Sequence, residues 1–482
     1  MSKFGLSIAA VVVSVALQLV DGKLLARNFR AADAEEIDSS VSQAEPGDTI
    51  TLKDGEWRDV DILFDAHGTA EQPITLRAET PGKVIISGKS RLRIAADHLI
   101  VDGLFFKQAY DDDNLIAFRK NSERLASHCR LTNCAIVDCN APDAKNESRW
   151  IAIYGQHNRL DHCWIEGKLT KGTTVAVVLD DGPAQHRIDH NYFGPRPRLG
   201  QNGGETIRVG DSKTAFLSAR VIVEQNVFER CDGESEIISN KSCDNVYRHN
   251  TFLRSSGALT LRHGHRATVE GNFFLGQKAR GTGGVRIIGE GHRVVNNYFA
   301  DLEGDDSRAA LSIMQGIENS PAAGYQPVKG ALVAFNTFVD CKQTIVVGLG
   351  DGYSEARVPP EGCTLANNLI VSRRPAIDLR CEPIDFVWRT NLVESAAAVP
   401  ELAGVSKVDD LRLELDPSDL WRPTQQSAAI GAATPIHWIE HDIDGHRRKP
   451  PQDVGCDELI DAPPHVPLTP DDVGPKWKAD RG

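Results

Sequence analysis

The amino-acid sequence predicts an all-β protein built as one right-handed parallel β-helix, a solenoid that forms a single main domain. The first observation behind this prediction is an Asn-x-apolar element that recurs through the middle of the chain. Its copies begin at Asn191, Asn226, Asn250, Asn272, Asn297, Asn336 and Asn368, with weaker echoes at Asn133 and Asn391. The successive spacings of 35, 24, 22, 25, 39 and 32 residues fit coils of 22 to 25 residues that are interrupted by insertions.

The second observation is the character of the segments between these asparagines. They are short β-branched runs such as Val221-Ile222-Val223, bounded by Gly, Asn and Asp. Leucine-rich repeats of similar period would need a Leu-x-x-Leu-x-Leu frame with helical segments, which the chain lacks. Asparagines at equivalent corners of stacked coils can hydrogen-bond along the stack, and Asn tolerates the left-handed backbone of a tight corner. We therefore expect a ladder of asparagine side chains.

The two ends of the chain differ from the repeats. Lys3 precedes an almost uninterrupted apolar run over residues 4–20, which is short for a membrane anchor and typical of a signal peptide. We expect a signal peptide over residues 1–22, a secreted or periplasmic protein, and no stable membrane insertion. Residues 23–400 are predicted to form the β-helix, with coils from about residue 40. The repeat then fades into Pro-rich polar sequence, so residues 401–482 are predicted to be a C-terminal cap and extended tail.

Net charge and cysteine content narrow the possible partners. The formal net charge of −13 argues against a nucleic-acid partner but allows a local basic groove that binds a polyanion. Ten cysteines are far too few, in a chain of 482 residues, for a disulfide-stapled scaffold. Buried free thiols are the favoured interpretation, although one or two disulfide bridges remain compatible with the sequence. We expect a monomer.

Three cations fall at nearly the same place on three consecutive coils. Counted back from the next asparagine, Lys241 lies 9 residues before it, Arg262 lies 10 and Arg286 lies 11. Neighbouring strands of such a stack are about 4.8 Å apart, so these side chains are expected to form a basic column on one face. Stacked like charges repel each other, and a polyanion or nearby carboxylates would compensate them.

Carboxylates are available on the same coils. Glu234 and Glu236 are two residues apart on a predicted strand, so their side chains share a face. Asn202 and Glu205 on the preceding coil can add oxygen atoms. An oxygen-rich site of this kind is what Ca²⁺ prefers. Each charged residue by itself is more often an ordinary surface charge, and the convergence within three coils is what favours a site.

A basic column beside a cluster of carboxylates suits the removal of a weakly acidic proton next to a carboxylate, as in β-elimination across a uronate. This reaction needs the substrate carboxylate neutralised and the developing enolate stabilised, which a bound calcium ion does. A lysine can then act as the base, and an arginine or a water molecule can protonate the leaving oxygen. Glycoside hydrolysis normally needs two carboxylates about 5 to 9.5 Å apart that flank the bond, whereas Glu234 and Glu236 are close neighbours.

At these residues the chain resembles polysaccharide lyase family 6, the alginate lyases and chondroitinase B enzymes. The matching segments are NGGETIRVG at 202–210, ESEIISNKS at 234–242, GALTLRHG at 257–264 and GGVRIIG at 283–289, with PGDTI at 46–50, PITL at 73–76 and VDGL at 101–104 near the N-terminus. The resemblance covers residues from about 40 to about 390 and implies a calcium-dependent lyase with an anionic polysaccharide as substrate.

The resemblance also implies a role for each matched residue. Asn202, Glu234 and Glu236 correspond to the calcium ligands. Lys241 corresponds to the Brønsted base and Arg262 to the Brønsted acid. By the same resemblance, His263 and Arg286 are expected to bind carboxylates or hydroxyls of the substrate.

Several functions remain open at this point. The resemblance favours alginate, whereas dermatan sulfate as substrate would need a further cationic pocket for its sulfate. Arg196, Arg198 and Arg208 are candidates for that pocket, although each can equally be a surface charge. A non-catalytic glycan-binding β-helix, and a hydrolase or epimerase on the same fold, are also compatible with the sequence.

Overall fold

The computed structural model describes residues 19–20, 23–24, 26–350, 352 and 355–478. Nearly every coil contributes one strand to each of three long sheets, and all strand pairs within these sheets are parallel. The apolar side chains that point inward form one continuous core along the stack. The predicted fold, a right-handed parallel β-helix, is therefore confirmed.

The three sheets have 14, 14 and 13 strands. Sheet 1 contains Asn28–Ala31, Thr49–Leu52, Ile74–Ala78, Leu99–Asp102, Arg130–Thr132, Arg159–Asp161, Arg187–Asp189, Ile222–Glu224, Val246–Arg248, Thr268–Glu270, Arg293–Val295, Leu332–Ala334, Thr364–Ala366 and Val387–Arg389. Sheet 2 contains Gly55–Arg58, Val84–Lys89, Phe105–Tyr110, Ala135–Val137, Trp164–Glu166, Tyr192–Phe193, Val227–Glu229, Thr251–Leu253, Phe273–Leu275, Tyr298–Ala300, Thr337–Val339, Leu369–Ser372, Asn391–Ser395 and Val405–Lys407. Sheet 3 contains Asp61–His67, Arg91–Asp97, Asn114–Ala117, Ala126–Ser127, Arg149–Ile153, Val175–Val177, Ile207–Gly210, Glu236–Lys241, Gly257–His263, Thr282–Ile287, Leu311–Met314, Ile345–Leu349 and Ile377–Leu379.

The remaining regular elements are short. Three antiparallel pairs join Leu19–Val20 to Lys23–Leu24, Gly316–Ile317 to Ala356–Val358, and Leu413–Leu415 to Trp421–Pro423. The helices are an α-helix at Ala34–Gln43 and 3₁₀ turns at Asp306–Arg308 and Lys476–Lys478.

The α-helix Ala34–Gln43 packs against the first coils and covers their apolar interior. It begins at Asp33, whose side chain accepts a hydrogen bond from the Glu36 backbone N–H at 2.9 Å, while the Glu36 carboxylate accepts one from Ala32 N–H at 2.7 Å. Its buried face, which includes Ile37 and Val41, meets the first strands. Because Asn28–Ala31 already pairs with the next coil, the expected start of the coils near residue 40 is too late.

The asparagine ladder is present and runs through eight consecutive coils. In each step, one side-chain Nδ2 donates to the Oδ1 of the next asparagine over 2.8–3.0 Å. The members are Asn191, Asn226, Asn250, Asn272, Asn297, Asn336, Asn368 and Asn391. Each Nδ2 also donates to a backbone carbonyl of the preceding coil, as Asn250 does to Val223. The ladder thus satisfies polar groups that face the core.

Two details of the predicted ladder are wrong. The left-handed residue is the one that precedes the asparagine, for example His249 at φ 53° and Gln225 at φ 54°. Asn133 is itself such a corner residue, at φ 55°, and its Nδ2 donates to Asp102 instead. The stack of amides ends at Asn191, whose Oδ1 accepts from Cys163 N–H at 2.9 Å, and Cys163 and then Cys134 occupy the equivalent positions on the two preceding coils.

The core beside the ladder is equally regular. Six phenylalanine rings, one per coil, stack with centroids 4.6–4.9 Å apart. They are Phe193, Phe228, Phe252, Phe274, Phe299 and Phe338. All ten cysteines are free, nine of them buried and Cys381 half-buried. The expectation of free, mostly buried thiols is therefore confirmed.

The fully buried His292 makes stability depend on pH. Its Nδ1 accepts from Ala267 N–H at 3.1 Å and its Nε2 donates to the Ile288 carbonyl at 2.9 Å, an arrangement that needs a neutral ring. Burial lowers its pKa to about 4. At His292 the unfolded chain therefore binds more protons between pH 6.5 and 4, so the contribution of His292 to the free energy of unfolding should fall as pH falls through this window, by about 1.4 kcal/mol per pH unit.

This pH effect is measured by chemical denaturation between pH 4 and 7.5. His292→Gln, which cannot gain a proton, should show a shallower slope below pH 6.5 than the wild type. The matched control is His437→Gln at an exposed position, which should keep the wild-type slope. Equal slopes in all three proteins would contradict the role of His292.

The chain beyond residue 400 packs on the outside of sheet 2. After its last coil strand, Val405–Lys407, it runs back over earlier coils. Leu468 N–H donates to Thr251 Oγ1, Gly474 N–H to the His190 carbonyl and Trp477 Nε1–H to the Asn133 carbonyl, all within 2.8–2.9 Å. The tail thus contacts coils far from the C-terminal end of the stack, and the boundary at residue 400 stays a prediction.

The N-terminal prediction falls largely beyond what the structure covers. Of the proposed signal peptide, residues 1–18 and 21–22 lie outside the described residues. Among the residues that are described, no helix is both long enough and apolar enough to cross a membrane.

Candidate functional site

The candidate catalytic residues lie at the ends of adjacent strands in sheet 3. Lys241 ends the strand Glu236–Lys241, and Arg262 and His263 end the next strand, Gly257–His263. The core-facing positions of these strands are apolar or hydrogen-bonded internally, which leaves the charged side chains on the outer face. Lys241 lies opposite His263 in the register of the two strands.

The three cations that were predicted at nearly the same place on consecutive coils are offset from one another in the strand register. A β-bulge between Asn240 and Lys241 brings Lys241 opposite His263, so Arg262 is the extra residue of the bulge. Arg286 lies opposite Thr260, two residues before Arg262. The alignment of coils on their asparagines assumes that each strand has the same number of residues. A bulge adds one residue to a strand, so this alignment cannot detect it.

Arg262 and Arg286 nevertheless meet at one aromatic ring, that of Tyr325. The Arg262 guanidinium lies 4.3 Å above the ring centroid, and its Nη1 donates to the Gly324 carbonyl at 3.0 Å. Arg286 Nη2 donates to the Tyr325 hydroxyl at 2.7 Å. The tyrosine is buried at 3% exposure and belongs to the insertion between Leu311–Met314 and Leu332–Ala334. It therefore fixes the orientation of both arginines.

His263 is a neutral side chain at the centre of the site. It is only 2% exposed, and its Nδ1 lies 3.3 Å from Arg262 Nη1 while its Nε2 lies 3.4 Å from Ser212 Oγ. Because a guanidinium only donates, Nδ1 accepts and Nε2 carries the proton. Burial, and next the charges of Arg262 and Lys241, lower the pKa of His263 to about 3. A neutral ring suits a substrate hydroxyl better than a carboxylate.

Three carboxylates form a cluster beside Lys241. Oxygen atoms of Glu205, Glu234 and Glu236 all lie within 4.8 Å of one another. Lys241 Nζ is 3.9 Å from Glu205 Oε1, so the cluster adjoins the candidate base. Gly203 N–H donates to Glu234 Oε2 at 3.1 Å. Burial, and then repulsion from Glu205 and Glu236, raise the pKa of Glu234 to about 8.

The cluster fits a hard divalent cation. Three carboxylates at this separation repel each other, and Glu234 Oε1 is buried without a hydrogen-bond partner among the described residues. An oxygen-ligated ion such as Ca²⁺ would relieve both costs. The sequence placed Glu234 and Glu236 together and indicated Glu205 as a further source of oxygen atoms, and in the structure Glu205 is the third carboxylate of the cluster. Asn202 is exposed in the same loop as Gly203, and its role as a ligand stays a prediction.

The three arginines considered for a sulfate pocket have different surroundings. Arg196 is 3% exposed and donates to the carbonyls of Thr170, Gly172 and Glu205, which makes it a structural residue rather than a surface pocket. Arg198 is exposed. Arg208 lies in register with Ser239, hence on the outer face that carries Thr260 and Arg286. Arg208 therefore extends the basic surface of the site.

Tyr325 is the functional residue that sequence reasoning missed. The spacing of 39 residues between Asn297 and Asn336 indicated an insertion there. Nothing in the sequence indicated that an aromatic residue of this insertion reaches back over two coils to Arg262. An insertion does not follow the repeat, so the spacing of the asparagines does not predict which residues it contacts.

Removing the Tyr325 hydroxyl should weaken substrate binding. Tyr325→Phe keeps the ring under Arg262 but loses the hydrogen bond to Arg286. On the uronate polymer that the sequence predicts as substrate, we therefore expect KM to rise by roughly tenfold with little change in kcat. Tyr325→Ala also removes the ring and should lower kcat as well. Steady-state kinetics check both. Tyr110→Phe, distant along the stack, is the control, and identical parameters for Tyr325→Phe and wild type would contradict the role.

The comparisons with known proteins agree with this geometry. A family model described as Chondroitinase B matches residues 31–408. The chain belongs to the chondroitinase B family. This is polysaccharide lyase family 6, so the resemblance noted in the sequence is confirmed. Comparison with curated proteins gives no match.

Solved structures of family 6 members superpose on most of the chain. The alginate lyase AlyGC has 40% identity and a TM-score of 0.80, with 83% of this chain and 55% of that chain covered. A mannuronic acid specific family 6 lyase from human gut microbiota has 34% identity and a TM-score of 0.73, with 79% and 91% covered. Pedsa3628 from Pseudopedobacter saltans has 29% identity and a TM-score of 0.70, with 78% and 95% covered. The chain spans little more than half the length of AlyGC.

Proposed function

We propose that the protein is an exported polysaccharide lyase that cleaves alginate by calcium-assisted β-elimination and leaves unsaturated uronate ends. The observation that carries the proposal is the position of Lys241. Its ammonium lies 3.9 Å from a carboxylate of the acidic cluster and opposite His263, which in turn contacts Arg262. A base, a cation and a metal-ligating group thus share one face of three adjoining coils.

Within this proposal, the chain's own residues perform the proton transfers. Lys241 in its neutral form accepts the proton from C5 of the uronate, and the C4–O bond breaks as the C4–C5 double bond forms. The leaving glycosidic oxygen takes a proton from Arg262 or from a water molecule that Arg262 orients. Gly324 and Tyr325 hold the Arg262 guanidinium in place, while Arg286 and neutral His263 orient the sugar.

Glu205, Glu234 and Glu236, with Asn202, would hold the calcium ion. When bound, calcium neutralises the substrate carboxylate and so makes the neighbouring proton more acidic. The buried Glu234 oxygen without a partner among the described residues supports this assignment, because a carboxylate oxygen of an ordinary solvated face would be hydrated.

Alginate is favoured over dermatan sulfate for two reasons. The family 6 relatives include an alginate lyase and a mannuronic acid specific lyase at 40% and 34% identity. Arg196, one candidate for a sulfate pocket, is instead buried against backbone carbonyls. The apolar run over residues 4–20 supports export, since alginate is an extracellular polymer too large to enter a cell intact.

One panel assay tests the proposal. The purified protein, with calcium, is mixed with polymannuronate, polyguluronate, mixed alginate and dermatan sulfate, and the absorbance of unsaturated uronate ends is followed. We expect product on alginate polymers. Product on dermatan sulfate alone would select the chondroitinase B activity, and cleavage without a double bond would select a hydrolase. Binding of a polymer without any cleavage would leave a non-catalytic glycan-binding β-helix.

A further inference from the structure

One deeply buried cation, Arg196, contacts two of the chain segments that supply the acidic cluster. Its side chain is almost inaccessible, and burial lowers the pKa of the guanidinium to about 10, so it stays charged at neutral pH. The carboxylates of Glu205 and Glu234 partly offset this effect of burial. Burying a charged group is costly, and the proposed proton transfers do not use Arg196. Its place beside the cluster therefore calls for another role.

The Arg196 guanidinium ties the Glu205 backbone to a loop of the preceding coil. Its Nη1 donates to the Glu205 carbonyl at 2.9 Å and to Thr174 Oγ1 at 3.2 Å. Its Nη2 donates to the Thr170 carbonyl at 3.0 Å and to the Gly172 carbonyl at 2.8 Å. None of these four hydrogen bonds goes to a carboxylate. Arg196 thus acts on the path of the chain and leaves the carboxylate oxygens free to bind an ion.

The same loop also contacts the Glu205 carboxylate. Thr173 Oγ1 donates to Glu205 Oε2 at 3.4 Å. Thr173 lies between Gly172 and Thr174, and both of these neighbours accept a hydrogen bond from Arg196. Arg196 therefore restrains Glu205 twice, through the carbonyl of Glu205 itself and through the loop that carries Thr173.

Arg196 packs as well against the segment that supplies Glu234. A Cβ atom at Gly233 would lie 3.0 Å from Arg196 Cδ and Nε, and 2.1 Å from the Gly204 carbonyl oxygen. Glycine at position 233 therefore allows the two backbone segments and the arginine to approach each other. Gly204 directly precedes Glu205, and Gly233 directly precedes Glu234. The side chain of Arg196 thus lies where the segments of the two carboxylates come closest.

We propose that Arg196 is a positioning residue of the ion site, which fixes the segments of Glu205 and Glu234 at the separation that lets their carboxylates share one calcium ion. The role of Arg196 rests on the proposed function, in which the cluster binds calcium. Residues that orient metal ligands typically contribute about 10–100-fold to the affinity for the metal. Arg196→Lys keeps the positive charge, but an ammonium cannot reach acceptors on two separate segments as the planar guanidinium does.

Calorimetric titration of the calcium-free protein with calcium, in the absence of any polysaccharide, tests this role. We expect Arg196→Lys to raise the Kd for calcium by about tenfold or more. Arg230→Lys, which changes an exposed arginine of the next coil, should keep the wild-type Kd. In a Glu205→Gln background, Arg196→Lys should weaken calcium binding less than it does in the wild type, because the ligand that Arg196 positions has already been altered.

An Arg196→Lys protein with a lower Tm but the wild-type Kd would overturn the proposal, and so would an equal loss of affinity in both backgrounds. If Arg196→Lys does not fold, Thr174→Val decides, because it removes one acceptor of the guanidinium at nearly constant volume. It should raise the Kd by about threefold, and an unchanged Kd would overturn the proposal. A wild type that bound no calcium would overturn the calcium step of the proposed function as well, whereas equal calcium binding by wild type and Arg196→Lys would overturn the role of Arg196 alone.

Discussion

Replacing Lys241 with methionine should lower the rate of unsaturated-uronate formation by about 10²–10⁴-fold, the usual contribution of a positioned general base. Methionine keeps the length of the side chain and removes the group that accepts the proton. The fold should survive, because the side chain is 19% exposed and its nearest carboxylate, Glu205, is 3.9 Å away, too far for a strong hydrogen bond.

Initial rates with calcium and alginate, measured by absorbance, check this result, and circular dichroism confirms the fold of the variant. Lys213→Met is the matched control, because Lys213 is exposed in the loop that follows the strand Ile207–Gly210. It should retain the wild-type rate. Lys241→Arg should restore the charge but not the activity, because a guanidinium stays protonated at neutral pH and so cannot accept the C5 proton.

A Lys241→Met protein with more than about a tenth of the wild-type rate would remove Lys241 from the role of base. Such a result would overturn the proposed mechanism but not the family assignment, because that assignment rests on sequence and fold.

The parts of the structure that follow a repeat could be predicted from the sequence. The asparagine spacing established the coil length, and the ladder of Asn191 to Asn391 hydrogen bonds shows why the repeat exists: each amide needs an identical amide on the next coil. Placing Glu234 and Glu236 on one face needed only the alternation of a strand, and placing Lys241 and Arg262 on neighbouring coils needed only the coil period. Lys241 is five residues after Glu236, which regular alternation would put on the opposite face, so the register shift after Glu236 was not visible in the sequence.

The parts that break the repeat could not be predicted. The bulge at Lys241 changes which residue lies opposite His263, and no local signal in the sequence marks it. Tyr325 reaches Arg262 from an insertion, and the length of an insertion does not reveal the path of its chain. The helix Ala34–Gln43 was missed although Asp33 and Glu36 form a recognisable capping pattern, because a search for strand repeats does not detect a single short helix.

Glu234→Gln should have opposite effects with and without calcium. Without the ion, the glutamine relieves the repulsion that Glu205 and Glu236 exert on Glu234, so the variant should be more stable than the wild type by about 1–3 kcal/mol at pH 7.5. With the ion, the wild type should gain a calcium-dependent rise in Tm that the variant lacks, because a ligand charge has been removed. Lyase activity should fall by at least about 100-fold.

The stability of the calcium-free wild type should also depend on pH. Since the folded pKa of Glu234 is raised to about 8, its contribution to stability is fully present below the unfolded value of about 4.5 and is lost as pH rises toward 8. Glu234→Gln should remove this decline. The glutamine side-chain oxygen can still accept the hydrogen bond from Gly203 N–H, so the loop should keep its conformation.

Thermal melts in EDTA and in calcium, for the wild type, Glu234→Gln and the exposed control Glu71→Gln, separate the possible explanations. We expect Glu71→Gln to behave like the wild type. We expect Glu234→Gln to be more stable than the wild type in EDTA and to show no change in Tm when calcium is added. These results together would mean that the cluster binds calcium and destabilises the protein when calcium is removed. The opposite result would be a wild-type Tm that does not change with calcium. In that case protonation of Glu234 would be what allows the three carboxylates to lie together. Arg262 and Arg286 alone would then have to neutralise the substrate carboxylate during the elimination.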